Sequence, residues 1–130
     1  MIILGLRTDK PEAELFLLDG QKKLAEIKWP AHLKLAETLN SKIEEILNKS
    51  SISYEDVDGL AIYKGPGSFT GLRIGMSVAN ALAYGLQIPI IAKGGDGWLD
   101  QSVKALEDGD NQKIAIPEYG APVHITRPRK

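Results

Sequence analysis

The pentapeptide "GLAIY" at 59–63 is apolar throughout, and a glycine-dense loop, "KGPGSFTG", leads from it directly into small-residue helical sequence at 70–86. A short apolar run without alternation is the pattern of a strand covered on both faces. A strand that feeds a helix returns by a right-handed crossover to a parallel neighbour. The run "IPIIA" at 88–92 supplies that neighbour. The middle of the chain therefore predicts a βαβ unit within a sheet that carries helices on its faces.

Upstream, three strand candidates follow one another: "IILGLR" (2–7), "EAELFLLD" (12–19) and "KKLAEIKW" (22–29). Asp19-Gly20 between two apolar runs is a hairpin signal, and Asp9, Lys10 and Pro11 suit a tight reversal. Pro30 sits where a first helical turn tolerates proline, and helix one is expected over 31–48, with Leu35, Ala36, Leu39, Ile43, Ile46 and Leu47 on one arc. Helix two is expected over 70–86. Asp96 reads as the N-cap of a third helix over "WLDQSVKAL", and "KIAIPEY" (113–119) as a last strand. The order is β-β-β-α-β-α-β-α-β, an α/β mixed sheet of the ribonuclease-H-like, actin-like half-domain class. It fills residues 1–118 as one domain, with 119–130 as a proline-containing C-terminal tail.

Composition narrows the function. Sixteen basic and seventeen acidic side chains give a net charge of -1, so no global field draws the chain to nucleic acid. There is no cysteine, which excludes disulfides, thiolate catalysis and cysteine zinc sites. The apolar N-terminus "MIILGL" meets Arg7 and Asp9 too soon for a signal or membrane segment, so a cytoplasmic location without membrane contact is expected.

The loop invites a phosphate-binding reading and then fails it. A Walker A loop needs Lys-Ser/Thr where Leu72-Arg73 stands, and a dinucleotide fold would place its glycines after the first strand, with an acid where Lys93 lies. Gly65, Pro66 and Gly67 turn the chain, while Ser68 or Thr70 can cap helix two. That helix start is also anion-ready in principle. Beyond the cap, Gly71, Gly75, Ala79 and Ala83 recur every four residues. Such a stripe admits another backbone closely, either the chain's own sheet or a second protein.

"GPGSFTGLRIG" (65–75) behind "GLAIY" closely resembles the signature of the TsaB (YeaZ) family of threonylcarbamoyladenosine biosynthesis proteins. The similarity extends to the opening strands, the "AHLKL" and "IEEIL" segments of helix one, "QIPIIA" and the closing "PVHITRP", where His124 replaces a family tyrosine. The resemblance implies an actin-like fold without catalysis of its own, pairing with the catalytic paralogue TsaD and the ATPase TsaE to modify tRNA. ATP and metal would then belong to the partner subunits, with no cofactor in this chain. It also implies a shortened form lacking most of the second subdomain, which puts full contact with TsaE in doubt. Docking is expected through helices one and two, at His32, Leu33, Gly71, Leu72, Gly75, Met76, Ala79 and Ala83, with a homodimer in isolation.

Other features weigh less. Family members commonly carry Asp-Thr-Ser after strand one; here Arg7-Thr8-Asp9 places a guanidinium where a carboxylate could organise magnesium, which argues against nucleotide hydrolysis. His32 has no second ligand at helical spacing. Arg73 in the first turn of helix two opposes the helix dipole, which suggests an anionic partner. Arg127, Arg129 and Lys130 offer at most weak contact with tRNA phosphates. The alternatives are a small nucleotide-binding enzyme of the actin-like fold and a degenerate homodimeric scaffold.

Overall fold

The computed structural model describes residues 1–118, so the tail at 119–130, with Tyr119, His124, Arg127, Arg129 and Lys130, lies outside the described residues. Five strands form one mixed sheet: β1 (Ile2–Arg7), β2 (Glu12–Asp19), β3 (Lys22–Pro30), β4 (Gly59–Tyr63) and β5 (Ile90–Lys93). Their spatial order is β3-β2-β1-β4-β5. β1 pairs antiparallel with β2 and β2 with β3, whereas β4 runs parallel to both β1 and β5. The two-residue loop Gly20-Gln21 closes the β2–β3 hairpin across the Asp19–Lys22 pair, with Gly20 at φ 60. A left-handed position of this kind costs glycine least.

Three helices cover the sheet: α1 (Leu35–Lys49), preceded by a 3-10 turn at His32–Lys34, α2 (Phe69–Leu86) and α3 (Trp98–Glu107). Side chains that alternate along each strand divide the core in two. Leu4, Leu6, Leu15, Leu17, Leu60, Ile62 and Ile90 meet Leu39, Ile43 and Ile46 of α1 and Met76, Ala79 and Ala83 of α2. On the opposite face Ile3, Phe16, Ala61, Tyr63 and Ile91 meet Trp98, Val103 and Leu106 of α3. Trp98 takes Phe16 and Tyr63 edge-on, each with ring centroids 5.9 Å apart.

Four local expectations are corrected. Pro30 ends β3 opposite Glu12 rather than opening a helix; β3 is an edge strand, where proline is tolerated. Ala36 is exposed rather than in the core. Asp96 does not cap α3, because the N-cap falls one residue later, on Gly97, without a side-chain hydrogen bond.

The fourth concerns the last strand, since residues 113–118 form none. At the edge of β5 one main-chain bond, from Gln112 N–H to the Ile90 carbonyl at 3.0 Å, is joined by side-chain amides. Asn111 Oδ1 accepts from Ile90 N–H at 3.1 Å and Gln112 Oε1 from Ala92 N–H at 2.9 Å. Further along, Asn80 of α2 grips Ala115 twice: its Nδ2 donates to the carbonyl at 3.0 Å, and its Oδ1 accepts the N–H at 2.8 Å. The segment is thus an extended strap rather than a sixth strand. Ala115 is buried, while Ile114 and Ile116 face solvent.

Candidate functional site

The loop-to-helix junction is fastened to the end of β1. Ser68 is the N-cap of α2, its Oγ accepting from Gly71 N–H at 3.4 Å. Thr8 Oγ1 donates to the Gly71 carbonyl at 2.8 Å, and Ser68 N–H donates to the Asp9 carbonyl at 3.2 Å. Tyr63 hydroxyl donates to the Pro66 carbonyl at 2.9 Å. Gly65, at φ 117, lies against the Glu118 carbonyl of the strap, so a Cβ there would overlap it.

Beside this junction Arg7 Nε donates to Asp9 Oδ1 at 2.8 Å, and its guanidinium lies 4.0 Å from the centre of the Tyr63 ring. The hydrogen bond to Asp9 holds the Arg7 pKa above its ordinary value, against the opposing effect of burial. Burial pushes the Tyr63 phenol up, partly offset by Arg7.

The small stripe of α2 faces inward. Cβ atoms placed on Gly71 and Gly75 would overlap Thr8, at its carbonyl oxygen and its hydroxyl oxygen respectively. Leu72, Met76, Ala79 and Ala83 are buried in the chain's own core. The six α2 positions expected to meet a partner therefore pack against the rest of the chain; at Gly71 and Gly75 it is Thr8, the residue after β1, that comes so close that only glycine fits. Of the expected docking residues, His32 and Leu33 remain outside, with Leu33 92% exposed.

A second face of the same helices was missed. Ser77, Ala81 and Gly85 form another stripe at four-residue spacing, and all three are exposed. Ile74, Val78 and Leu82 lie half-buried beside them. A groove of about 350 Å³ runs between α1 and α2, lined by Ala36, Thr70, Arg73, Ile74, Ser77 and Val78. It is continued by one of about 300 Å³ lined by Asn40, Ser77, Val78, Ala81 and Leu82. Towards the helix starts, a cavity of about 360 Å³ brings His32, Leu33 and Lys10 beside Ser68, Thr70 and Gly71.

Arg73, expected to seek an anion, lies 5.2 Å from the centre of the Phe69 ring, a cation–π contact on the rim of the groove. His32 adopts φ 47 and donates its N–H to the Pro11 carbonyl at 2.9 Å. Among the described residues no three His, Asp or Glu side chains gather in a group able to hold a metal. No described helix is long and apolar enough to cross a membrane.

An antiparallel three-strand start, parallel β4 and β5, and helices on both faces define a ribonuclease-H-like, actin-like half-domain. Its exposed feature is a helix-pair seam of small and aliphatic side chains. The family model for TsaD, tRNA N6-adenosine threonylcarbamoyltransferase, matches residues 30–92. The chain is 39% identical over 118 residues to the tRNA threonylcarbamoyladenosine biosynthesis protein TsaB of Haemophilus influenzae, covering 89% of this chain and 49% of that one. It is 43% identical over 98 residues to the tRNA N6-adenosine threonylcarbamoyltransferase of Geotalea daltonii, covering 73% of this chain and 28% of the relative. The solved structure of YeaZ from Pseudomonas aeruginosa superposes with a TM-score of 0.69 at 28% identity, over 83% of this chain and 49% of that one. The chain is thus similar to TsaB (YeaZ) proteins over most of its own length. It spans about half the length of the TsaB and YeaZ chains just described.

Proposed function

We propose that the chain is a non-catalytic partner subunit in tRNA threonylcarbamoyladenosine modification, docking a TsaD-type paralogue through the outer seam of α1 and α2. One observation carries this reading. Ser77 and Ala81, exposed, and Ile74, Val78 and Leu82, half-buried, form an uncharged strip on α2, with Ala36 and Asn40 of α1 across the groove and Arg73 at its rim. Small side chains at Ser77, Ala81 and Gly85 let a partner helix approach closely, and the flanking aliphatics supply apolar area to bury.

The choice of partner rests on self-similarity. Residues 30–92, which match the TsaD model, include α1, β4 and α2, so a TsaD-type half-domain carries an equivalent helix pair. Two such pairs stack about a pseudo-two-fold axis, each seam covering the other. The same geometry makes the seam self-complementary, so the isolated chain dimerises and the paralogue competes with the second copy. In this reading ATP, metal and any TsaE-type ATPase act on the partner's side. Contact with tRNA is weak or indirect, in keeping with a net charge of -1.

The test is co-elution of the chain with its cognate TsaD-type protein by size-exclusion chromatography. Ala81→Arg is expected to abolish the complex while its thermal melt stays close to wild type. An intact complex with Ala81→Arg overturns the assignment of the seam. Reconstituted modification of tRNA, assayed with and without the chain, tests its place in the pathway; equal yields overturn it.

A further inference from the structure

The turn after β1 carries one of the chain's own carboxylates onto the loop where the sequence invites an anion. The Asp9 side chain is only 6% exposed. Arg7 engages both its oxygens, Nε to Oδ1 at 2.8 Å and Nη2 to Oδ2 at 3.3 Å. This is the two-point, charge-assisted recognition that a guanidinium gives a carboxylate. The guanidinium is itself positioned by the Tyr63 ring beneath it, and Tyr63 is tied to the loop through Pro66.

Asp9 lies across the start of α2. A Cβ placed on Gly67 would come within 2.9 Å of Asp9 Oδ2, so only a glycine lets the carboxylate rest there. The Asp9 carbonyl takes the Ser68 N–H, while Gly71 N–H and Leu72 N–H are used by Ser68 Oγ and the Ser68 carbonyl. A phosphate entering this junction would have to displace Asp9 from Arg7. That exchange leaves a buried carboxylate without its counter-charge, at a high energetic cost.

We infer that Asp9 is the built-in anion of this junction and Arg7 its receptor, so that the glycine loop is fastened to β1 from inside the chain rather than by a bound phosphate. The inference does not depend on the docking reading, since it concerns the opposite side of α2. It assigns positioning roles to two residues at the turn that leaves β1.

Amide hydrogen exchange on the full chain tests it. In Asp9→Ala the amides of Ser68 and Gly71 are expected to exchange at least about tenfold faster than in the wild type, because Arg7, which the carboxylate holds against Tyr63 and, through it, the Pro66 carbonyl of the loop, loses its partner. Formate, which reproduces the lost carboxylate, is expected to restore their protection. Wild-type exchange is expected to be indifferent to formate and to inorganic phosphate. Asp9→Asn keeps the volume and removes the charge; it serves where Asp9→Ala fails to fold, and is expected to show the same loosening without rescue. Wild-type protection in either folded variant overturns the proposal, as does slowing of wild-type exchange by phosphate. A loss in Asp9→Ala that formate does not restore overturns the receptor role of Arg7.

Discussion

Thr8 stands against Gly75 with no space for a side chain between them, while its hydroxyl donates to the Gly71 carbonyl at 2.8 Å. One buried threonine thus explains two glycines in a helix, each of which costs about 1 kcal/mol relative to alanine. Gly75→Ala is expected to lose about 1–3 kcal/mol in urea unfolding despite its better helix propensity, because a buried, β-branched Thr8 has little freedom to yield. The Thr8→Ala/Gly75→Ala double variant is expected to lose less than the sum of the single changes, since each removes one side of the same overlap. Additive losses would mean that the two residues do not share the contact.

Asn80 holds the strap by both atoms of its side-chain amide, and Ala115 has both backbone groups in that grip. Asn80→Ala strands a donor and an acceptor at a half-buried site, and a loss of about 1–3 kcal/mol is expected. Hydrogen exchange locates the effect: the Ala115 amide is expected to lose protection while Leu60, in the centre of the sheet, changes only with global stability. Equal loosening of both would show that Asn80 supports the whole domain rather than the strap.

Most of the fold was legible because single residues carried period and punctuation together. Asp19-Gly20 marked the hairpin, and Leu60, Ala61 and Ile62 announced a strand buried on both faces. The direction of the α2 stripe was harder to read. Gly71/Gly75/Ala79/Ala83 and Ser77/Ala81/Gly85 are both small and share one spacing, so size alone does not say which faces the sheet. Polarity did carry a signal, since Arg73 and Ser77 mark the outer side and Leu72 and Met76 the inner. The strap misled for the opposite reason. Ile114 and Ile116 alternate as a strand would, yet the alanine between them is the buried residue. Arg7 and Asp9, two apart at a strand end, were recognisable as neighbours on one side, but not as a pair seated on the glycine loop.

The seam between α1 and α2 predicts the thermodynamics of docking. Ile74, Val78, Ala81 and Leu82 offer carbon rather than charge, so calorimetric titration with the TsaD-type partner is expected to give a negative heat-capacity change. Affinity is expected to change by less than about tenfold between 0.1 and 1 M salt, since among the described residues Arg73 is the only charged side chain that lines the groove. A steep salt dependence would move the interface towards the charged surfaces of β3 or the exposed acids of α1.

Acid sensitivity follows from two carboxylates held below their ordinary range. The Ser53 backbone N–H, and then its hydroxyl, donate to Asp56, each at 3.0 Å, in the capping box that opens the 3-10 turn at Tyr54–Asp56. Glu26 is lowered chiefly by its hydrogen bond from Lys23, with Lys28 assisting and burial opposing. A carboxylate whose folded pKa lies below its unfolded value contributes stability above the unfolded value and loses it as pH falls through the folded one. Stability is therefore expected to be level with respect to these groups from pH 7 to about 5 and to fall below about pH 4. Asp56→Ala is expected to melt below the wild type at pH 7 and to converge with it in acid, once the pH has fallen through the lowered pKa of the wild-type carboxylate. A melting difference that stays constant across that range would show that Asp56 acts through packing rather than through its charge.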